Sequence, residues 1–537
     1  MKKYINKTFM SLVALVVALG VYSCKDPEIG VNPYDGGEAP LGVKFQNLNR
    51  KLDAVRPGEV FQVSINGLKS QTGALKAYIN EQETEMVSYT DSTLDLRVPQ
   101  LVSSGRLKVL IGNQVFYGPR IPIEGKVKVD TDLAIANGFN GTVNTIFENG
   151  ANYWIGGYFT NYEDEASSTI FRNNIHSITS LGKSVEGGFK KGGMGGISSI
   201  AKLPDGKFMI AGGLSSFNGR LVSAITRLES TGTLDTMMVE VINPDPDKPE
   251  NNLDTVPAFN GYLTSSVVSG GGVNFSSITG IYPLPNSSMI VIGNFTNHLR
   301  TDYMFSSKQQ KSYFNTRVRN VVRLKNDGAI DSTFMWGNTG VNGTIGGSIQ
   351  LADGKILAVG NFTTFNSESA NRIFAINPDG TRDKSFTGAG ANDLILSITY
   401  NRVLKKIALA GRFTSYNGKA ANGVVILNED GSVDEQFVMK DTDSRIPTYA
   451  YVMNNGKILV TGGFEKYDGV TRSNLLILEM DGSAKQEYNN MGSFSGSIYT
   501  VVEATSSEGY PALLIGGTIF SVDGINVGNI VRIEIKN

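Results

Sequence analysis

Short apolar runs alternate with turn-forming dipeptides through the second half of the chain, and residues 353–386 show the pattern most completely. In this stretch the apolar runs 356–359 and 373–376 lie between the dipeptides Asp353-Gly354 and Asp379-Gly380. Asp-Gly pairs tolerate positive φ and so reverse the chain tightly, and apolar runs of this length are typical of strands. The pattern therefore predicts a strand-turn-strand unit, which buries its faces only by packing against further units.

Imperfect copies of this unit recur through residues 127–537, each with a glycine at the end of its second strand. The seven copies align on Gly156, Gly212, Gly293, Gly360, Gly411, Gly462 and Gly516. The intervals between these glycines are 56, 81, 67, 51, 51 and 54 residues, so the second and third intervals carry insertions. Units of this length made of strands and turns are a propeller-blade signature, and the 3.6-residue period of helical repeats is absent. The sequence predicts a seven-bladed β-propeller over residues 127–537.

The copies also share elements after the glycine, in a fixed order. An Asp-Gly turn and then an Asp three residues before a Phe recur, as in Asp327-Gly328 followed by Asp331 and Phe334. This order closely resembles the delta-sixty repeats of bacterial β-propellers, which occur in large secreted proteins and in surface lipoproteins of the Bacteroidetes. The resemblance implies a fold rather than an activity. We expect the Asp-Gly pairs to form turns, and the later Asp to hydrogen-bond backbone at the blade corners.

The two ends of the repeat region are expected to close the propeller ring. Residues 529–535 read as a third strand with no fourth strand after it, and residues 132–139 are a strand-like piece before the first glycine motif. Pairing these two segments would complete the last blade and remove an exposed sheet edge.

Residues 41–126 show short strands of alternating character, typical of a sandwich with one face in the core and one in water. Their spacing suits an immunoglobulin-like sandwich. The stretches 57–60, 94–99 and 104–119 resemble the IPT/TIG sandwich, a family whose domains usually serve as spacers or contact modules. The predicted fold class of the chain is therefore all-β, an immunoglobulin-like sandwich followed by a seven-bladed β-propeller.

The first 23 residues have the features of a secretory signal peptide. Lys2, Lys3 and Lys7 form a basic segment, and residues 9–21 are an apolar run too short to span a bilayer. Cys24 follows directly and is the only cysteine, which excludes a disulfide within the chain. This arrangement resembles the lipobox of bacterial lipoproteins, in which the thiol is diacylated and becomes the mature N-terminus.

That resemblance implies that Cys24 anchors the protein to a membrane, because several acyl chains on one residue give stable attachment. Lys25-Asp26-Pro27-Glu28 resembles the signal that follows the lipidated cysteine in surface-exported lipoproteins of the Bacteroidetes. Residues 24–40 are predicted to be a lipidated, flexible tether. The expected location is the outer membrane, with the protein lipid-anchored and exposed at the cell surface.

Net charge and composition limit the class of partner that the protein can bind and the class of protein to which it belongs. Lys+Arg 49 against Asp+Glu 50 leaves no basic excess for phosphates, so we expect no nucleic-acid partner. A glycine count of 62 with 40% hydrophobic residues suits a turn-rich β protein rather than a disordered one.

The sequence offers little for catalysis. Cys24 is assigned to the anchor, and His176 and His298 are the only histidines, so Ser-His-Asp and Cys-His arrangements are hard to build. His298 follows a repeat motif and is interpreted as a polar loop residue, and no zinc-binding pattern accompanies either histidine. Glycoside hydrolysis needs only two carboxylates, but too many acidic residues lie on turns to choose a pair.

The two insertions are the better place for a ligand, since a rigid scaffold with variable loops is how such folds acquire one. The first, about 237–277, carries Asp245, Asp247, Glu250 and Asp254. Oxygen ligands at this density could hold Ca²⁺, although their order differs from an EF-hand loop, and solvated acidic side chains are the alternative. No other cofactor is expected.

The second insertion, about 298–316, is rich in aromatic side chains. It carries Tyr303, Phe305, Tyr313 and Phe314, with Trp336 downstream. Aromatic rings on a loop either pack on the propeller rim or offer a stacking surface to a sugar or a partner protein. These five residues are the candidate ligand-binding set.

The leading functional hypothesis is a non-catalytic surface lipoprotein whose sandwich holds the propeller away from the outer membrane. The propeller would capture a glycan or nutrient or bind a partner protein, and family analogy suggests a SusC/SusD-like uptake system. One alternative is a glycan-degrading hydrolase or lyase with carboxylates in the propeller funnel. Another is a structural or adhesive scaffold.

Overall fold

The computed structural model describes residues 41–46, 48, 52–71, 74–267, 273–274, 276–384, 386, 389–472 and 474–536. The predicted signal peptide, Cys24 and the tether lie outside these residues. Within the described part, no helix is long and apolar enough to cross a membrane. The helices there are short 3-10 turns, at Pro249–Asn252, Tyr303–Phe305 and Gln486–Tyr488.

The N-terminal domain is an antiparallel seven-stranded sheet that wraps around its own core. Its strands are Lys44–Phe45, Val60–Asn66, Leu75–Ile79, Gln82–Tyr89, Thr93–Arg97, Gly105–Ile111 and Gln114–Ile121. Alternate residues face the core, so that in Gly105–Ile111 the side chains of Leu107, Val109 and Ile111 are buried. Gln82–Tyr89 was not predicted, because Thr84 is its only fully buried residue and its pattern is almost entirely polar.

Seven main antiparallel sheets follow in the described part of residues 127–536, besides smaller ones, and we number them sheet 1 to sheet 7 in chain order. Each begins with an inner strand, continues with a middle strand and ends with an outer strand. The inner strands are Thr142–Asn149, Ile197–Lys202, Ser277–Pro283, Thr344–Gln350, Ile395–Asn401, Pro447–Val452 and Phe494–Thr505. The middle strands are Asn152–Tyr158, Phe208–Gly212, Met289–Asn294, Ile356–Asn361, Lys406–Gly411, Ile458–Gly462 and Pro511–Val522. The outer strands are Ile175–Thr179, Ile225–Leu228, Val321–Leu324, Ile373–Ile376, Val424–Asn428, Leu475–Leu478 and Ile530–Ile535.

Apolar side chains fill the space between neighbouring sheets. Phe365 and Phe374 stack with their ring centroids 3.9 Å apart, in a cluster that joins residues of sheets 3 and 4. Sheet 1 packs on sheet 7 through a cluster that includes Val143 and Leu514, so the series of sheets closes on itself. The all-β fold predicted from the sequence is thus the observed one.

Short hairpins and insertions decorate this frame. Two-residue strands pair as Gly193–Met194, Ser216–Phe217 and Arg220–Leu221, as Thr364–Phe365 with Glu368–Ser369, as Ser415–Tyr416 with Lys419–Ala420, and as Lys466–Tyr467 with Val470–Thr471. Ser184–Val185 extends sheet 1, and Ile525–Asn526 pairs with the middle strand of sheet 7. The insertions add Thr236–Glu240 with Leu253–Pro257, Tyr262–Thr264 with Asn297–Asp302 and Ser312–Arg317, and Ser266–Val267 with Val273–Asn274.

The ring closes through a different segment from the one predicted. Val127–Val129, and not residues 132–139, pairs antiparallel with the last strand, Ile530–Ile535. Phe139 instead forms a bridge with Tyr162 and is buried beside its ring, with the two centroids 4.5 Å apart. Asp130 fixes the crossing chain, because its carboxylate accepts a hydrogen bond from Arg532 Nε at 2.8 Å in a buried ion pair.

The repeated Asp residues play the predicted local roles and one more. Asp353, Asp379 and Asp430 each accept a hydrogen bond from the backbone two residues later, which stabilises the turn. At the corner, Asp434 accepts from the backbone N–H of Gln436 and also pairs with Lys406 Nζ at 2.8 Å. Equivalent ion pairs join Lys207 to Asp235, Arg323 to Asp331 and Lys355 to Asp383. In sheets 2 to 5 the corner therefore ties the end of the unit to the strands of its own sheet.

Candidate functional site

A β-bulge interrupts the inner strand of every one of the seven sheets, near the end that meets the motif glycine. In each case one residue of the inner strand has no partner on the middle strand, which turns it out of the ladder. These residues are Asn144, Ser198, Thr279, Gly346, Leu396, Thr448 and Tyr499. We call them the bulge residues.

The motif glycine is explained by the same bulge. The residues that pair beside the bulge are Gly157, Gly212, Gly293, Gly360, Gly411, Gly462 and Gly517. At each of them a Cβ atom would lie closer than 3.0 Å to a carbonyl oxygen of the inner strand or of the residue directly before that strand, so only glycine fits. The sequence alignment on Gly156 and Gly516 was wrong by one residue, because both copies carry a Gly-Gly pair and only the pairing register shows which glycine meets the bulge.

The bulge residues surround a central cavity of about 650 Å³, which we call the channel pocket. Every inner strand contributes to its wall. The lining residues are Asn144, Ser198, Ser277, Ile278, Thr279, Gly346, Gly347, Ser348, Leu396, Ser397, Ile398, Thr448, Tyr449, Ser497, Ile498 and Tyr499. None of these side chains carries a charge, and the volume lies within the range of ligand sites.

One arc of the pocket, formed by sheets 1 to 3, is polar. Asn144 Nδ2 donates a hydrogen bond to the carbonyl oxygen of Ile197 at 3.1 Å, and Ser198 Oγ donates to that of Ile278 at 2.6 Å. Thr279 Oγ1 donates to the carbonyl oxygen of Ile292 at 3.2 Å. These bonds fix the side chains and leave oxygen lone pairs, together with the second N–H of Asn144, as the groups they offer to a ligand.

The arc formed by sheets 5 to 7 is largely apolar. Leu396 and Tyr499 occupy the bulge positions of sheets 5 and 7, with 36% and 51% of their surface exposed. Thr448 lies between them, at the bulge position of sheet 6, and its hydroxyl group donates a hydrogen bond to the carbonyl oxygen of Thr461 at 3.4 Å. Gly346 of sheet 4 leaves a gap, since a Cβ placed there would meet nothing closer than 3.8 Å. The pocket therefore has a hydrogen-bonding side and an apolar side.

The two histidines lie away from the channel pocket and are buried in strands. His298 belongs to Asn297–Asp302 and its Nε2 is 2.8 Å from the carbonyl oxygen of Gly328, so its assignment to a loop was wrong. The repeat leads directly into this strand without a turn, which the polar sequence concealed. His176 lies 2.8 Å from Ser184 Oγ. Burial lowers the pKa of His176 to about 3 and that of His298 to about 4.

The two insertions pack together into one unit, the insertion body, formed by residues 236–264 and 297–317. The backbone N–H of Ile242 donates to the carbonyl oxygen of Ser306 at 2.8 Å. Lys311 Nζ pairs with Asp254 Oδ2 at 2.7 Å, and both side chains are mostly buried. The sequence placed the two insertions separately and gave no sign of this contact.

The candidate aromatic residues are spread over the insertion body and beyond it. Tyr303 and Phe314 line an open cavity of about 540 Å³, together with Met237, Ala258, Asn260, Arg300, Thr301, Asp302, Met304 and Asp327. Tyr313 instead contacts Tyr262, with ring centroids 6.3 Å apart, and Phe305 is 69% exposed. Trp336 is 63% exposed in a separate depression beside Met335 and Asn338. The structure thus brings two of the five candidates to one cavity.

The acidic residues of the first insertion do not form a ligand set. Asp245 pairs with Lys248 at 2.9 Å, and Asp254 is held by Lys311. Among the described residues, three or more His, Cys, Asp or Glu side chains come together nowhere in a way that could hold a metal ion. The calcium site stays a prediction to which this geometry adds no support.

Sequence reasoning named the propeller funnel as a place for catalytic carboxylates but identified none of the residues that line the channel pocket. Its lining comes from the first residues of the inner strands, where the copies differ in Ser, Thr, Asn, Gly, Leu and Tyr. The available signal was a small or polar residue directly after the first buried aliphatic residue of four inner strands, as in Ile197-Ser198 and Ile278-Thr279.

Family models match both parts of the chain. A model described as "Domain of unknown function (DUF5008)" matches residues 19–119. A second, "Domain of unknown function (DUF5122) beta-propeller", matches residues 203–236, 310–334, 351–386, 405–437 and 454–484. The chain carries a DUF5008 domain followed by DUF5122 propeller repeats. The DUF5122 matches fall in sheets 2 to 6 and confirm that the repeats are those of a β-propeller.

Solved structures resemble the chain only distantly. A structural genomics protein of unknown function from Bacteroides thetaiotaomicron VPI-5482 is 12% identical, with 92% of this chain and 98% of that chain covered and a TM-score of 0.24. An auxiliary nutrient binding protein from the same strain is 12% identical over 68% of this chain and 94% of that chain, with a TM-score of 0.20. YCF48 bound to D1 peptide is 9% identical over 77% and 96%, with a TM-score of 0.34. At these scores the likenesses carry no argument about this protein. No curated protein matches the chain.

Proposed function

We propose that this DUF5008–DUF5122 protein is a non-catalytic binding protein whose propeller holds its ligand in the channel pocket. The observation that carries the proposal is the shared bulge: all seven inner strands contribute one residue to a single cavity of about 650 Å³. Each bulge leaves a residue out of the ladder, and bulges of this kind commonly re-aim side chains at functional sites. A rigid ring of this type suits the positioning of a ligand.

The bulge positions are also where the seven copies of the repeat differ in residue type. Elsewhere the sheets repeat the same turns, corners and motif glycine, which serve the frame. At the bulge the residues range from Gly346 to Tyr499. A frame requires no such variety, whereas a site that recognises an asymmetric ligand does.

Cell-surface location is the second part of the proposal and rests on the sequence around Cys24. The DUF5008 domain is fixed to the propeller by buried hydrogen bonds. Ser103 Oγ donates to the carbonyl oxygen of Asn489 at 2.8 Å, and Asn490 Nδ2 donates to that of Ile123 at 3.1 Å. A chain anchored at Cys24 would therefore carry the DUF5008 domain and the propeller as one unit, as an accessory module for glycan or nutrient capture beside a SusC/SusD-like transporter.

The hydrolase or lyase alternative required two carboxylates facing each other in the propeller funnel. The channel pocket, as lined by the described residues, offers none. A filled propeller face would favour the scaffold alternative, whereas this propeller has an open central cavity. Binding in the channel pocket is therefore the function that the geometry supports best.

A pair of glycine variants tests the proposal. The full chain carrying Cys24→Ser would be screened by thermal shift and calorimetry against neutral gluco-, galacto-, manno- and xylo-oligosaccharides, acidic oligogalacturonides and casein peptides. Gly346→Phe fills the gap in the pocket wall, and a Cβ there is sterically tolerated. Gly463→Phe is the matched control, because a Cβ at Gly463 meets nothing within 4 Å and this exposed residue is not part of the pocket lining.

We expect at least one probe to bind the Cys24→Ser chain and its Gly463→Phe form alike. Gly346→Phe should weaken that binding at least about a hundredfold, since a filled pocket cannot admit the ligand. Binding that survives Gly346→Phe, or silence toward every probe, would overturn the proposal.

A further inference from the structure

The four polar bulge residues of the channel pocket already donate hydrogen bonds to the backbone. Asn144 and Ser198 donate to backbone carbonyl oxygens of the neighbouring sheet, and Thr279 and Thr448 donate to carbonyl oxygens of their own sheets. A hydroxyl group has one proton to donate and two lone pairs to accept with. These four side chains therefore present mainly acceptor oxygen to the cavity, besides the second N–H of Asn144. The hydroxyl groups of Ser277, Ser348 and Ser497 also line the pocket and can donate or accept. A ligand with O–H groups, which both donate and accept, pairs with all of these groups.

The pocket also lacks any charge to balance a charged ligand. Its sixteen lining residues include no Asp, Glu, Lys, Arg or His. Burying an ionised group without a counter-charge is costly, and a carboxylate, sulfate or phosphate would further meet acceptor oxygens with acceptor oxygens. Both considerations select an uncharged ligand rich in O–H groups.

The apolar arc formed by sheets 5 to 7 favours a ligand that also has an apolar surface. Leu396 and Tyr499 stand at the bulge positions of sheets 5 and 7, and Tyr499 is 51% exposed. An aromatic ring offers a flat apolar face of large area at small conformational cost. Gly346 belongs to sheet 4, next to this arc, and its missing side chain leaves space in the pocket. A planar group can therefore pack against Leu396 or Tyr499 and still reach the acceptors of sheets 1 to 3.

We infer that the ligand of the channel pocket is a neutral saccharide, whose hydroxyl groups donate to Asn144 and Ser198 while one ring face packs on Tyr499 and Leu396. A sugar ring combines the two surfaces that the pocket requires, a rim of O–H donors and an apolar C–H face. The inference rests on the proposed function of the channel pocket and specifies the class of ligand.

The test compares neutral and acidic sugars of the same ring. Methyl-esterified oligogalacturonides and free oligogalacturonides have the same ring and linkage and differ in whether each C6 carboxyl group is a neutral ester or a carboxylate. Both would be titrated into the full Cys24→Ser chain by calorimetry. We expect a measurable affinity for neutral oligosaccharides. The acidic counterpart of any oligosaccharide that binds should have an affinity at least about a hundredfold lower, because nothing in the pocket balances its charge.

Variants of the apolar arc test the orientation. Tyr499→Ala should weaken binding about tenfold by removing the ring face, while Tyr499→Phe keeps that face and should change it less than about threefold. Leu396→Asp, which places a carboxylate on the apolar arc, should also weaken binding about tenfold. Tyr117→Ala is the matched control, since Tyr117 is 55% exposed on the DUF5008 domain, and should leave the affinity unchanged.

The outcomes separate this inference from the proposed function. Binding of an acidic sugar or a peptide that is lost in Gly346→Phe would overturn the inference and leave the proposed function standing. Neutral sugar binding that Tyr499→Ala and Leu396→Asp do not affect would overturn the orientation on which the inference depends. Absence of any binding sensitive to Gly346→Phe would overturn both.

Discussion

The channel pocket and the insertion body are both open to solvent, yet they are built in opposite ways. The channel pocket draws one bulge from each of seven sheets, and its lining is uncharged and held by backbone hydrogen bonds. The insertion body belongs to the region of sheets 2 and 3 and depends on side-chain ion pairs such as Lys311 with Asp254. Its exposed apolar side chains, Met304 at 81% and Phe305 at 69%, stand outward.

This difference shows that irregularity in sequence and irregularity in function need not coincide. The insertions are conspicuous because they break the repeat. The channel pocket comes from single-residue differences at one repeated position, which the fold gathers at the propeller axis. A repeat protein can therefore place its most specific surface inside its most regular element.

The largest effect is expected from the glycine that faces the bulge. Gly360→Ala puts a Cβ against the carbonyl oxygen of Thr344, which is backbone and cannot give way. We expect a loss of about 3 kcal/mol in the free energy of unfolding, measured by urea denaturation. Gly463→Ala, at a position with nothing within 4 Å, should change it by less than about 0.5 kcal/mol. Equal losses in the free energy of unfolding for the two variants would contradict the claim that the bulge requires glycine at this position.

Acidification should destabilise the frame through its buried histidines. Burial lowers the pKa of His298 to about 4 and that of His176 to about 3, below the usual value of 6.5. Because the unfolded state takes up the proton first, stability is fully present above pH 6.5 and falls as the pH drops toward the folded pKa. The expected slope is about 1.4 kcal/mol per pH unit for each histidine.

The His298→Gln variant isolates one of the two contributions. Glutamine retains an N–H donor for the carbonyl oxygen of Gly328 and does not titrate. Urea denaturation at pH 7, 6 and 5 should show a shallower fall for this variant than for the parent chain. An unchanged slope would show that His298 titrates normally in the folded protein.

A smaller effect is expected when the insertion body is loosened. Lys311→Met removes the ion pair with Asp254, whose side chains are only 21% and 17% exposed, and should cost about 1 kcal/mol in the free energy of unfolding. Ligand affinity should stay the same, because the pocket lies elsewhere. If calorimetry showed weaker ligand binding by the Lys311→Met variant, the ligand site would have to be assigned to the insertion body instead of the channel pocket.

The smallest effect is expected at the tip of the insertion body. Phe305→Ala removes a ring that is 69% exposed, so stability should change by less than about 0.5 kcal/mol. Saccharide affinity should not change either, and a titration with the same probe measures it. A tenfold loss would restore Phe305 as a binding residue.

Much of the fold could be predicted from the sequence because its determinants are local. Asp-Gly turns, short apolar strands and the Asp of each corner act within a few residues, and they repeat. The closing strand could not be found in this way, since the pairing of Val127–Val129 with Ile530–Ile535 joins the two ends of the propeller region. A segment of three residues carries too little pattern to be recognised alone.

The candidate site was less accessible to sequence reasoning. Aromatic residues on insertions attract notice, whereas Ser198 or Gly346 looks like an ordinary strand residue. Their significance depends on the register with the middle strand and on the meeting of seven strands at one axis. Neither property is local, and the one-residue slip at Gly156 and Gly516 shows how easily the register is misread.

A crystal structure of the Cys24→Ser chain, grown with the neutral oligosaccharide that binds most tightly, tests the central claim most directly. The account predicts a sugar ring in the channel pocket, with its hydroxyl groups within hydrogen-bonding distance of Asn144 and Ser198 and one face against Tyr499. A saccharide bound instead in the insertion cavity, between Met304 and Phe314, with an empty channel pocket, would contradict it.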